Sequence, residues 1–286
     1  MLKTIRHVSI VSVLVVCVLI GMTLVIAGTA HEVAFHQPEL SVKGGVLSGV
    51  SAKAVYILEL DSQKEIFTRN PDQQRSIASV TKLVSSALFY EHASATLPVT
   101  IAWSDVVTDG RSGRLAAGQQ YQNNDLLFPA LLESSNDASA AMYRVAPVDL
   151  IAAMNTYARN LQLQSTSFSD ASGLDDKNRS TARELGVLTA SLYTQYPHIF
   201  DITRLKTHLN HINAWMNNNP FAHDETYLGG KHGYTYEANR TATAIFSEII
   251  KTGQKRDFVY VILGSEALQT DMEALRAYVR ASVVLE

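Results

Sequence analysis

The sequence predicts an α+β domain: an antiparallel sheet drawn from both ends of the chain, with a long helical section inserted between the two halves. Three observations predict it. Strand-like apolar runs stand at residues 54–60 and 65–68 and return at 241–246 and 258–263. Between them, residues 79–193 are mostly helical in pattern. A last helix is expected over residues 266–284, where Leu268, Met272, Leu275 and Val279 recur at helical spacing. Strands from distant parts of a chain, packed with a block of helices, leave a cleft where sheet and helices meet.

In chain order, the first element is a membrane signal. Lys3, Arg6 and His7 precede an uncharged apolar stretch at 8–27. As a helix this stretch is about 30 Å long, enough to cross a hydrocarbon core. The cations on its N-terminal side hold that end in the cytoplasm, so the rest of the chain is expected outside. Its length favours a permanent transmembrane helix, although Gly28-Thr29-Ala30 offers small residues for cleavage. Residues 1–30 are therefore read as a membrane anchor or signal segment, 31–50 as a linker, and 51–286 as one domain. Cys17 is the only cysteine, so no intrachain disulfide is possible and the exported part must be held by its core. A net charge of −3 gives no basic field, which argues against nucleic acid as a partner.

The domain opens with a hairpin, its turn at 61–64. Helices follow at 83–90, 126–144, 148–161 and 182–193. The two C-terminal strands are joined by a turn at 253–256, ahead of the final helix.

The strongest chemical signal is Ser79-Val80-Thr81-Lys82, followed by an apolar run. On a helix, Ser79 and Lys82 stand three apart on one face. A lysine on a buried helix is desolvated, which favours its neutral form. A neutral amine beside a hydroxyl can act as the base for a serine nucleophile. Ser134-Ser135-Asn136 follows in the helical section, and Lys231-His232-Gly233-Tyr234 comes just before the 241–246 strand. Two histidine pairs fail as metal sites: His31 and His36 are five apart, and His208 and His211 lack a third ligand in register.

The ordered set S-x-x-K, S-x-N and K-x-G resembles that of the penicillin-binding proteins and β-lactamases, and the chain resembles the serine D-alanyl-D-alanine carboxypeptidases of the peptidase S11 kind. The similarity also runs through Leu115-Ala116-Ala117-Gly118, Asp125-Leu126-Leu127, Ser172-Gly173-Leu174-Asp175 and Ser180-Thr181-Ala182-Arg183-Glu184, and covers roughly residues 50–285. The resemblance implies the serine β-lactamase/DD-peptidase fold. It implies Ser79 as acyl-accepting nucleophile, Lys82 as its base and Ser134 as a proton relay near Lys82. Asn136 would bind the substrate backbone, and Lys231 would attract its terminal carboxylate. The backbone N–H groups of Ser79 and Tyr234 would form the oxyanion hole. No cofactor and no metal are implied. The implied partners are peptidoglycan stem peptides ending in D-Ala-D-Ala, β-lactams, and the membrane through the N-terminal helix.

The chain departs from the family pattern at two places. His232 stands where a hydroxyl residue is usual; its imidazole can donate a hydrogen bond and, near its pKa, add positive charge. Ala238-Asn239 replaces the usual Ala-Gly. A literal Lys251-Thr252-Gly253 is set aside because it falls in the turn between two strands. A D,D-endopeptidase with the same residues, and a catalytically weak cell-wall or β-lactam binder, remain as alternatives. A class A β-lactamase lacks its glutamate-bearing loop here.

Overall fold

Residues 39–45 and 47–286 are described in the computed structural model. The expected transmembrane helix lies outside the described residues. Among the described residues, no helix is long and apolar enough to cross a membrane.

The strands used below are β1 (Leu40–Val42), β2 (Ala54–Glu59), β3 (Glu65–Arg69), β4 (Tyr227–Thr235), β5 (Asn239–Ile249), β6 (Lys255–Ser265) and β7 (Val283–Leu285). The helices are α1 (Thr81–His92), α2 (Leu127–Leu132), α3 (Asn136–Val145), α4 (Leu150–Asn160), α5 (Ala182–Gln195), α6 (Pro197–Arg204) and α7 (Leu268–Ser282). Five strands form one antiparallel sheet in the order β4-β5-β6-β2-β3, so both chain ends contribute as expected.

Both faces of this sheet are covered, which is why its strands read as unbroken apolar runs instead of alternating ones. On β6, Val259, Val261 and Leu263 join the core shared with the helical section. Phe258, Tyr260 and Ile262 point to the opposite face, where α7 lays down Leu268, Met272, Leu275 and Val279. The same alternation splits β2: Ala54, Tyr56 and Leu58 face the helices, Val55 and Ile57 face α7. Helix α1 runs through the middle of the helical section, buried on all sides from Thr81 to Phe89. Its apolar residues are therefore not confined to one face, and Thr81, Lys82, Ser85 and Ser86 are buried among them.

Two expectations are corrected. The predicted helix over 126–144 is really two helices, α2 and α3, broken at Glu133–Ser135. Ser134 sits there at φ 61°, and the Ser135 hydroxyl caps α3 by accepting from the Ala138 N–H at 2.9 Å. A capping serine satisfies a helix-end donor that a continuous helix would not leave open. The second correction concerns the stretch read as a linker. Residues 40–42 are strand β1, paired antiparallel with β7, Leu40 opposite Leu285.

His208 is not placed to hold a metal. It stacks on Phe128 with ring centroids 3.4 Å apart and lies parallel to Trp215. Trp215 itself is fully buried and donates its indole N–H to the Gly113 carbonyl at 2.9 Å. The literal Lys251-Thr252-Gly253 does fall in the β5–β6 turn.

Candidate active site

A cleft of about 740 Å³ opens between the β4 edge of the sheet and the helical section. Ser79, Ser134, Asn136, His232, Gly233 and Tyr234 all line it, so the three distant sequence motifs meet in one place.

Ser79 lies in a 3-10 turn, Ala78–Val80, that leads into α1. The turn is pinned from three sides. Thr81 Oγ1 donates to the Ala78 carbonyl at 2.8 Å, and Thr241 Oγ1 on β5 donates to the Ile77 carbonyl at 3.0 Å. The turn also backs onto Gly173, where a Cβ would stand 2.0 Å from the Ala78 oxygen, so only glycine fits. On the cleft side, a Cβ at Gly233 would stand 2.6 Å from the Ser79 nitrogen. The glycine therefore lets the β4 backbone come up against the Ser79 N–H without a side chain filling the space in front of it.

Lys82 is fully buried. Its Nζ donates to Ser79 Oγ at 3.1 Å, Asn136 Oδ1 at 2.8 Å and the Ser172 carbonyl at 2.6 Å. Burial holds this amine down at about 7; the Asp170 carboxylate opposes the fall, Arg111 adds to it, and Asp137 opposes it. In its neutral form the amine has two N–H groups and a lone pair, so the 3.1 Å contact can reverse, with the Ser79 hydroxyl donating to Nζ.

Asn136 spends its amide within the protein: Oδ1 accepts from Lys82, and Nδ2 donates to the Asp109 carbonyl at 2.8 Å. One N–H of that amide remains for a substrate. Ser134 is nearly buried on the cleft wall, and its hydroxyl makes no hydrogen bond among the described residues. The three donors of Lys82 go elsewhere, so Ser134 shares the cleft with the amine without bonding to it.

On the strand side, Lys231 is buried too, and its Nζ donates to one acceptor, the His232 carbonyl, at 2.7 Å. Burial holds it well below the ordinary lysine value, and the positive charges of Lys82 and Arg111 push the same way. His232 is pushed well below 6.5 by burial, then by Lys231 and Arg111. That direction disfavours the charged imidazole at this position. Its Nδ1 is buried without a hydrogen-bond partner among the described residues. Tyr234 is exposed at the rim, with the Arg240 guanidinium over its ring at 5.8 Å. Asn239 takes φ 53° at the β4–β5 turn, a conformation asparagine tolerates, which accounts for its standing where the family has glycine.

Sequence reasoning missed the residues that hold the cleft walls. Asp137, buried at the start of α3, accepts from the Gly113 N–H at 2.8 Å and the Ser112 hydroxyl at 2.8 Å, and so fixes the lip that carries Arg111. Asp170 organises the turn that presents the Ser172 carbonyl to Lys82. The only signal for either was a carboxylate beside a motif, three residues or fewer from Ser134 or from Ser172-Gly173-Leu174. Among the described residues, no group of three or more His, Cys, Asp or Glu side chains gathers as a metal site.

Residues 41–266 match the model of the peptidase S11 family, the D-alanyl-D-alanine carboxypeptidases. The chain belongs to this family. The S11 chain is 29% identical over 204 residues to a D-alanyl-D-alanine endopeptidase of Pseudomonas aeruginosa, covering 66% of this chain and 65% of that protein. It is 25% identical over 263 residues to the D-alanyl-D-alanine carboxypeptidase DacA of Escherichia coli, covering 84% of this chain and 63% of that protein. It thus spans less than two thirds of the length of these curated relatives. In fold it matches a D-alanyl-D-alanine carboxypeptidase from Mycobacterium tuberculosis with TM-score 0.75 at 21% identity, covering 85% of this chain and 94% of that one. The architecture is accordingly the mixed α/β fold of the penicillin-binding DD-peptidases.

Proposed function

We propose that the protein is a serine-type D-alanyl-D-alanine carboxypeptidase that acts on peptidoglycan stem peptides in the cell envelope and is acylated by β-lactams. The observation that carries this reading is the Lys82 amine, fully buried, held at about 7, and 3.1 Å from Ser79 Oγ.

In this reading Ser79 Oγ attacks the carbonyl between the two D-alanines and passes its proton to Lys82. The oxyanion is held by the backbone N–H groups of Ser79 and Tyr234, a geometry that the close approach at Gly233 supports. The C–N bond breaks, and D-alanine leaves with a proton delivered through Ser134. Water then cleaves the Ser79 ester and regenerates the hydroxyl. Asn136 orients the peptide with its remaining N–H, and Lys231 with His232 receives the terminal carboxylate. Here the buried Lys231 amine has one internal acceptor, and an incoming anion would favour the charged form that burial disfavours. Attachment to the membrane is assigned to the N-terminal segment, 1–30, and residues 51–286 to the catalytic domain.

A second reading, a D,D-endopeptidase using the same residues, is favoured by the 29% identity to the Pseudomonas aeruginosa endopeptidase. The test is intact-mass detection of a penicilloyl adduct mapped to Ser79, followed by product analysis. Free D-alanine from a D-Ala-D-Ala peptide supports the carboxypeptidase, and cleavage of a crosslinked dimer without free D-alanine supports the endopeptidase. No adduct and no turnover from folded protein rejects both and leaves a binder.

A further inference from the structure

Asp170 belongs to none of the three motifs, yet its carboxylate collects four donors from one short turn. Its Oδ1 accepts from the Ser172 N–H at 2.6 Å, the Ser172 hydroxyl at 3.0 Å and the Gly173 N–H at 2.5 Å. Its Oδ2 accepts from the Asp175 N–H at 2.6 Å. The turn so closed is the one whose Ser172 carbonyl takes a proton of Lys82 at 2.6 Å. The neighbouring Ala171 carbonyl accepts from Ser85 on α1 at 2.7 Å, which locks the turn to the same helix that carries Lys82. Gly173 completes the contact by lying directly against the Ala78 carbonyl, next to the nucleophile.

We propose that Asp170 is a positioning residue for the reaction: it shapes the 170–175 turn so that the Ser172 carbonyl fixes the Lys82 amine against the Ser79 hydroxyl. The role follows from what else surrounds the lysine. Its other two acceptors, Ser79 and Asn136, are neutral. The charged groups acting on it from the packed elements are Asp170 on the turn, Asp137 at the start of α3 and Arg111 on the lip, while Lys82 in turn acts on Lys231 on β4. One cation, Arg111, pushes the amine towards deprotonation and two carboxylates oppose it, Asp170 more strongly than Asp137. Asp170 therefore sets how far burial can drive the base into its neutral form, as well as where that base points.

This inference rests on the Ser79–Lys82 reading above, and its test is chosen to be independent of turnover. The Lys82 side chain is titrated by NMR in protein carrying isotope-labelled lysine, wild type against Asp170→Asn and Asp170→Glu. Penicillin acylation rates are measured on the same samples. Asp170→Asn keeps an acceptor for Ser172 and Gly173 but loses the charge and the acceptor for Asp175. Its Lys82 midpoint is expected to fall by about 0.5–1 pH unit. Its plateau acylation rate is expected to fall about tenfold, because the amine is less firmly placed. Asp170→Glu keeps the charge on a longer stem; its midpoint should stay near wild type while the plateau falls. A purely structural role would lower the melting temperature without moving the midpoint. An unchanged midpoint in folded Asp170→Asn overturns the proposal, as does loss of folding in both variants. A shifted midpoint in a protein that penicillin never acylates leaves the positioning role standing and removes the peptidase reading instead.

Discussion

The two walls of the cleft are built on opposite plans. On the helical wall most polar groups are satisfied by one another, the Ser134 hydroxyl excepted: Lys82 has three acceptors, and the Asn136 amide is held at both ends. On the strand wall they are left open: Lys231 has one acceptor, and the buried His232 Nδ1 has none among the described residues. Closed networks fix geometry, while buried polar atoms without partners cost stability until something binds them. The difference fits the proposed reading, in which the helical wall does the chemistry and is set before substrate arrives, while the strand wall receives the substrate and is completed by it.

Removing the nucleophile gives the largest effect. Ser79→Ala should form no penicilloyl adduct by intact mass, while its unfolding free energy changes by less than about 1 kcal/mol, since one cleft hydroxyl bears little load. Residual D-alanine release would break the assignment of the helical wall.

Lys231→Met comes next. A charge-assisted bond to a carboxylate contributes about 1.5–3 kcal/mol, so kcat/KM on a D-Ala-D-Ala peptide should drop roughly 10- to 100-fold. An equal loss on a substrate whose terminal carboxylate is amidated would show that Lys231 does not read that group. The same variant should be more stable than wild type at pH 7. The sign follows from linkage: Lys231 is held below its unfolded value of 10.5, so the unfolded chain binds the extra proton and wild-type stability rises with pH towards 10.5. Urea unfolding at pH 7 and pH 9.5 measures that rise, which should be shallower in Lys231→Met.

The smallest expected change is at His232. Restoring a hydroxyl with His232→Thr removes the orphaned Nδ1 and places a donor beside Lys231, and D-alanine release should rise a few-fold, of the order of one extra hydrogen bond. An unchanged or lower rate would mean that the imidazole is fitted to this protein's own substrate.

The two walls also differ in how much of them the sequence disclosed. Ser79, Lys82 and Lys231 were legible because three short strings, each weak alone, stand in the order of the penicillin-binding set that the chain resembles. The sheet was legible because burial on both faces left unbroken apolar runs such as residues 258–263. The break at Ser134 was missed because the helical runs on either side outweighed the cap-type residues Ser135, Asn136 and Asp137 that follow it. Strand β1 was hidden because its partner, β7, lies at the other end of the chain. Asp137 and Asp170 were hidden because a carboxylate that ties down a loop has no periodicity, and its worth depends on donors brought to it by the fold.

The central claim is that Lys82 serves Ser79 as a neutral amine near physiological pH. The most direct test is the rate of Ser79 acylation by a fluorescent penicillin from pH 5 to pH 10. The rate should climb with a single midpoint at about 7, where the buried amine loses its proton, and the climb should vanish in Lys82→Met. A flat profile, or one that rises only near the ordinary lysine value of 10.5, would contradict the account.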